Sequence, residues 1–235
     1  MAIRRKQWVW IIAGGLVVLF VGAYAAFAFI GGSTSAPPPV ALSSPTTVAS
    51  SVPSAAPGSL DGTWTVQAAN SFVGYRVREK FADLPAPTDA VGRTSAVTGS
   101  LTVDGLQVAA VDVKADLRQL QSDKQMRDER IRTDGLESDQ FPIAEFKLAD
   151  PIVFPSKPAA GSRVTKQAKG TLTLHGVTRS VTIPLQAQWN GDRIEVAGSL
   201  SILFADYDIS TPTTFLATVE DHGTMEFHLF FVRQA

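Results

Sequence analysis

At 235 residues the chain is long enough for one or two domains, and it contains no cysteine, which excludes disulfides, thiolate metal sites and a cysteine nucleophile. Its 3 histidines leave little material for a zinc centre. The net charge of −1 hides a split: Arg4, Arg5 and Lys6 stand alone through residue 60, so the remainder is mildly acidic, without the basic stripe that nucleic acid requires. Residues 1–7 read as a basic cytoplasmic tail. Trp8 to Ile30 follows without a single charge. At ~1.5 Å per residue such a helix crosses ~30 Å of hydrocarbon. The basic cluster keeps the N-terminus cytoplasmic, so the expected topology is a single pass through the cell membrane with the rest of the chain outside. A cleaved signal peptide is the alternative, but Phe29 and Ile30 continue the apolar run past Ala26-Phe27-Ala28. Residues 31–60 are almost all Gly, Ala, Ser, Thr and Pro, a composition expected to give a disordered tether.

From residue 61 the pattern changes to period-2 alternation, the signature of strands with one buried and one solvated face. Val73, Tyr75 and Val77 oppose Phe72, Arg76 and Arg78. Val97, Gly99, Leu101 and Val103 oppose three hydroxyl residues. Val111, Val113, Ala115 and Leu117 come next, then Ala144, Phe146 and Leu148. Gly170 to Leu185 holds two strands, with Leu172 and Leu174 on one face of the first and Val181, Ile183 and Leu185 on one face of the second. The connection His175 to Arg179 reads as a hairpin turn, and Asn190-Gly191 is a second, strong turn signal before Ile194, Val196, Leu200 and Ile202. Met225, Phe227, Leu229 and Phe231 alternate along the last strand. Eight antiparallel strands with short turns suit a closed barrel, with a β-sandwich as the alternative. One segment breaks the pattern: Asp123 to Asp134 is expected to be a short helix, capped by a Ser122/Gln125 box and ended at Gly135. Ala82 to Ala96 and Ala205 to Gly223 are expected to be long loops.

Gly170-Thr-Leu-Thr-Leu-His-Gly-Val-Thr-Arg-Ser-Val181, Phe141-Pro-Ile-Ala-Glu-Phe146, Arg127-Asp128 with Arg132, and Ser71-Phe-Val-Gly-Tyr-Arg-Val77 together resemble the YceI-like family, the lipocalin-like polyisoprenoid-binding domain of bacteria. The likeness spans roughly residues 62–233. It implies an all-β, eight-stranded antiparallel barrel with one short helix and an apolar tunnel for an isoprenoid lipid, such as a quinone tail or a polyprenyl carrier. Asp206-Tyr207-Asp208 and the long 82–96 insert depart from the family pattern.

Given a tunnel, the alternation selects its lining: Val73, Tyr75, Val77, Leu101, Val113, Leu117, Phe146, Leu172, Leu174, Val181, Ile183, Leu185, Ile202, Phe227 and Leu229. Arg76, Arg127, Arg132 and His175 are candidates for a lipid head group, since guanidinium suits phosphate. His175 has no acidic neighbour in sequence and reads first as a turn residue. No phosphate loop, Gly-x-Ser-x-Gly or His-Glu-x-x-His is present. The expected function is therefore a membrane-anchored extracytoplasmic binding protein, without catalytic residues, metal or cofactor, whose partners are the lipid and, through residues 8–30, the membrane. A lipid-modifying hydrolase and a solid-core structural or stress-related domain are the alternatives.

Overall fold

The computed structural model describes residues 36–43, 59–81, 86–211 and 217–234. The expected transmembrane segment 8–30 lies outside them. Among the described residues no helix is long and apolar enough to cross a membrane.

Eight strands form a closed antiparallel barrel. Strand β1 has two parts, Gly62–Val66 and Phe72–Phe81, joined through a 3-10 turn at Ala68–Asn70. Strand β2 likewise joins Thr88–Thr94 to Val97–Asp104. Strand β3 is Gln107–Asp116, continued at Gln121–Ser122, and β4 is Ile143–Leu148 with Ile152–Val153. The long strands β5 (Arg163–Leu174), β6 (Val177–Trp189) and β7 (Arg193–Leu203) follow. Strand β8 comprises Ala217–Val219 and His222–Arg233. Each strand pairs with the next, and β8 returns to β1 with Trp64 opposite Arg233 and Val73 opposite Phe227. Closure leaves no strand without a neighbour on each side, which reduces the usual edge liability of a sheet, although several pairings cover only part of a strand.

The apolar positions of the alternation point inward and form two clusters. One, around Trp64, Leu101, Val113, Ile183, Trp189 and Phe231, lines the end where the chain enters at Leu60 and leaves at Arg233. The other, around Leu117, Leu174, Ile202 and Tyr207, fills the end with the β5–β6 turn. That turn needs only two residues: His175 at φ +52 and Gly176 at +74 give the left-handed pair that suits a twisted hairpin.

Several expectations need correction. Thr88–Thr94 is strand, not part of a long loop, and its Gly92 lies opposite Tyr75, where the phenol ring fills the space of a side chain. The helix, α1, is shorter than expected, Gln125–Arg130, followed by a wider turn over Ile131–Gly135. Ser122 does not cap it. Its amide and hydroxyl both donate to Asp128, at 2.9 and 2.6 Å, so the carboxylate satisfies the serine instead. The left-handed residue after the helix is Glu137 rather than Gly135. Part of the expected tether is ordered: in residues 36–43, Leu42 is 4 % exposed and the Ser43 amide donates to Glu195 at 2.7 Å.

Candidate functional site

Inward-facing apolar side chains leave a cavity of about 160 Å3 in the half of the barrel nearer the chain termini. Its wall is almost wholly aliphatic and aromatic. Of the residues expected to line a tunnel, Val73, Leu101, Val113, Phe146, Leu172, Ile183, Leu185, Phe227 and Leu229 border it. Leu117, Leu174 and Ile202 belong to the cluster that fills the opposite end, and Val181 packs between the two clusters. Tyr75 and Val77 do not border it either. The phenol of Tyr75 is buried without a hydrogen-bond partner, and burial pushes its pKa well up, so it stays neutral.

The wall also contains residues that the sequence reading did not select. Val103, Val111, Met225 and Phe231 obey the same alternation and were recoverable from it. Ala115, Ala144 and Ala168 are the small positions that leave the space open, a property set by three-dimensional packing and not by pattern. Phe154, Pro158 and Ser162, from the loop between β4 and β5, close the rim, and no periodicity marks them. Trp189 brings into the wall an indole N–H that is buried without a partner.

The four head-group candidates do not converge on this cavity. Arg76 points outward from β1, donating to Glu226 at 2.7 Å and to the Pro37 carbonyl at 2.7 Å. Arg127 is held between Glu79, at 2.9 Å, and Asp123. Burial works against its charge, but the two carboxylates outweigh this and raise its pKa further. Arg132 pairs with Glu129 and Asp139 at the surface. His175 is 7 % exposed and has an acidic partner after all, far away in sequence. Its Nε2 lies 2.8 Å from Glu137 Oε2, and its Nδ1 lies 3.0 Å from the Tyr207 carbonyl. A carbonyl only accepts, so Nδ1 carries a proton. Both ring nitrogens are engaged, and the ring edge packs on Phe141. The histidine thus ties the turn to the segments around Glu137 and Tyr207. Among the described residues no group of three or more His, Asp or Glu is placed to hold a metal ion.

A model of the YceI-like domain matches residues 64–231. The chain belongs to the YceI-like family. Two curated relatives are UPF0312 proteins of Vibrio. That of Vibrio vulnificus strain YJ016 is 29% identical over 147 residues, covering 59% of this chain and 71% of the relative. That of Vibrio parahaemolyticus is 31% identical over 127 residues, covering 50% and 64%. Among solved structures, a polyisoprenoid-binding domain from Saccharophagus degradans, implicated in plant cell wall breakdown, superimposes with a TM-score of 0.58 at 19% identity, covering 73% of this chain and 98% of that one. Burkholderia cenocepacia BcnA gives 0.54 at 21%, covering 70% and 98%. At these identities the structural likeness concerns the barrel fold.

Proposed function

We propose that this YceI-like chain binds a single isoprenoid lipid with its tail in the barrel cavity, and that residues 8–30 hold the barrel at the outer face of the cell membrane. The observation that carries the reading is the cavity wall. It surrounds empty space with aliphatic and aromatic side chains and presents almost no polar surface, so apolar burial, at ~25 cal/mol per Å2, is what it offers a ligand. The relative from Saccharophagus degradans, described as polyisoprenoid-binding, has the same barrel. An apolar cavity of about 150 Å3 accepts a benzene-sized guest. The 160 Å3 here is of that order, so a longer tail requires the wall to widen or the chain to extend through the opening. Catalysis has little to build on. Among the described residues the cavity wall includes no histidine or aspartate, and its one glutamate there, Glu145, pairs with Lys114 and Lys147. Sequestration and transport both fit such a wall.

The test is to purify the full chain from membranes, extract it and identify bound lipid by mass spectrometry. About one isoprenoid lipid per chain is expected. An added quinone should quench tryptophan emission, and the effect should shrink in Trp189→Phe. Ala168→Phe fills the cavity at a cost of roughly 1–3 kcal/mol from overpacking, and should leave a folded barrel that carries no lipid. A folded wild-type protein with neither extracted lipid nor quenching overturns the reading.

A further inference from the structure

Main-chain pairing stops short at several places in the barrel wall, and one such seam, between β4 and β5, lies against the cavity. Strand β4 pairs with β5 only between Glu145–Leu148 and Gly170–Thr173. The amides of Ala149 and Asp150 add two bonds to the Lys169 carbonyl, at 2.9 and 3.4 Å. Beyond that point Ile152 and Val153 pair with β3 alone, and residues 163–168 of β5 pair with β6 alone. Side chains fill the gap, and Ile152, Phe154, Val164 and Lys166 all border the cavity. Closing a barrel normally removes every such edge. Here two edges face one another across side chains that are also the cavity's outer wall.

Lys166 spans the seam. By alternation it shares the inward face of β5 with Val164 and Ala168, an unusual place for an ammonium group. Its Nζ donates across the gap to the Val153 carbonyl at 2.8 Å and lies 4.6 Å above the Phe154 ring. One exposed hydrogen bond and one cation–π contact are weak ties, readily broken and remade. The rim beside the seam is apolar and solvated: Val153 is 62% exposed and Leu106 is 48% exposed. The two are neighbours, since the Phe154 amide donates to the Leu106 carbonyl at 2.8 Å.

We infer that the β4–β5 seam is the lateral passage through which the lipid enters and leaves, with Lys166 as its latch and with Leu106 and Val153 as the rim that touches the bilayer surface. The inference rests on the proposed lipid binding. A bilayer is the occupant that the rim fits: an isoprenoid tail passing from acyl chains to the cavity stays out of water only if apolar surface is continuous between them, and Leu106, Val153, Ile152 and Phe154 supply that continuity. The ammonium groups of Lys166 and of Lys157, which lies 5.5 Å over the Trp189 ring, sit at the same rim, where lysine side chains reach lipid phosphates.

The chain lacks cysteine, so introduced thiols are unique. The full chain carrying Val153→Cys and Lys166→Cys is loaded with a quinone bearing a geranylgeranyl tail and bridged with a reducible bis-maleimide. It is then diluted into empty phosphatidylcholine vesicles, and the quinone remaining on the protein is followed over time. Bridging should slow release at least tenfold, and reduction should restore it. Lys166→Ala should speed release several-fold. Bimane on Leu106→Cys should shift to the blue on contact with vesicles, whereas bimane on Thr178→Cys, at the opposite end, should not. Quinone that leaves bridged and unbridged protein at equal rates overturns the passage while leaving lipid binding intact. A bimane signal at position 106 that ignores vesicles overturns the bilayer contact. Failure of the unbridged protein to take up any quinone overturns the binding reading and the passage together.

Discussion

Arg127 has the charge and planarity that suit an anionic head group, yet its guanidinium is already taken. Glu79 and Asp123 hold it, and the side chains of the Arg127–Glu79 pair are only 12% and 13% exposed. Removing one member of such a pair leaves the other charge shielded from water without a partner. Arg127→Met should therefore destabilise the barrel by about 2 kcal/mol in urea unfolding. In a double-mutant cycle, Glu79→Gln should lose much of its own effect once Arg127 is gone. Quinone binding should change little, because neither residue borders the cavity. His175 makes a related point. The sequence shows it in a turn motif without an acidic neighbour, and the turn reading holds. Its partner Glu137 is brought in by the chain after α1, a contact that no local pattern encodes. Long-range polar pairing of this kind was illegible, whereas inward apolar positions such as Leu101, Ile183 and Phe227 were legible from period 2 alone.

Whole strands were read well where alternation was strong, as in β5 to β8, and poorly where it was diluted. Thr88–Thr94 contains Asp89, Gly92 and Arg93 among few apolar residues, and it becomes strand through pairing with β1, not through its own preference. Gly170 shows what packing adds to pattern. By alternation it is an ordinary inward position of β5, but a Cβ there would lie 2.2 Å from the Lys147 carbonyl and 2.6 Å from the Phe146 ring. The ring of Phe146 thus lies over the glycine and forms the cavity wall from that position. Gly170→Ala must displace β4 backbone. It should cost about 2 kcal/mol or more in urea unfolding, and should weaken quinone binding because Phe146 moves. Gly135→Ala is the matched control: its nearest contact would be 3.8 Å away, and stability should hardly change.

At the scale of the whole molecule, composition marked residues 31–60 as a featureless tether, and the order of residues 36–43 was invisible to it. The reason is that main-chain groups carry most of the docking. Arg76 donates to the Pro37 carbonyl, Arg163 donates to the Ser43 carbonyl, and the Ser43 amide donates to Glu195. Only Leu42 is buried. The receiving surface was equally hidden, because Glu195, Glu226 and His228 face outward, where alternation predicts solvent, yet both glutamates are 2% exposed. Glu195 makes the docking dependent on pH. Burial alone would raise its pKa, but the hydrogen bonds from Ser43 and from His228, whose Nε2 lies 2.7 Å away, outweigh burial and hold it below the ordinary 4.5. A carboxyl depressed in this way contributes its full stabilisation above its ordinary value and loses it as pH falls through the lower docked value. Amide exchange at residues 36–43 should therefore be slow and flat from neutral pH down to about 4.5, once corrected for the intrinsic rate, and should quicken below that. In Glu195→Gln an acceptor remains but its charge is gone. Protection should then be weaker at neutral pH and should lose its acid dependence, whereas an acid dependence that survives the substitution would assign the effect to another group.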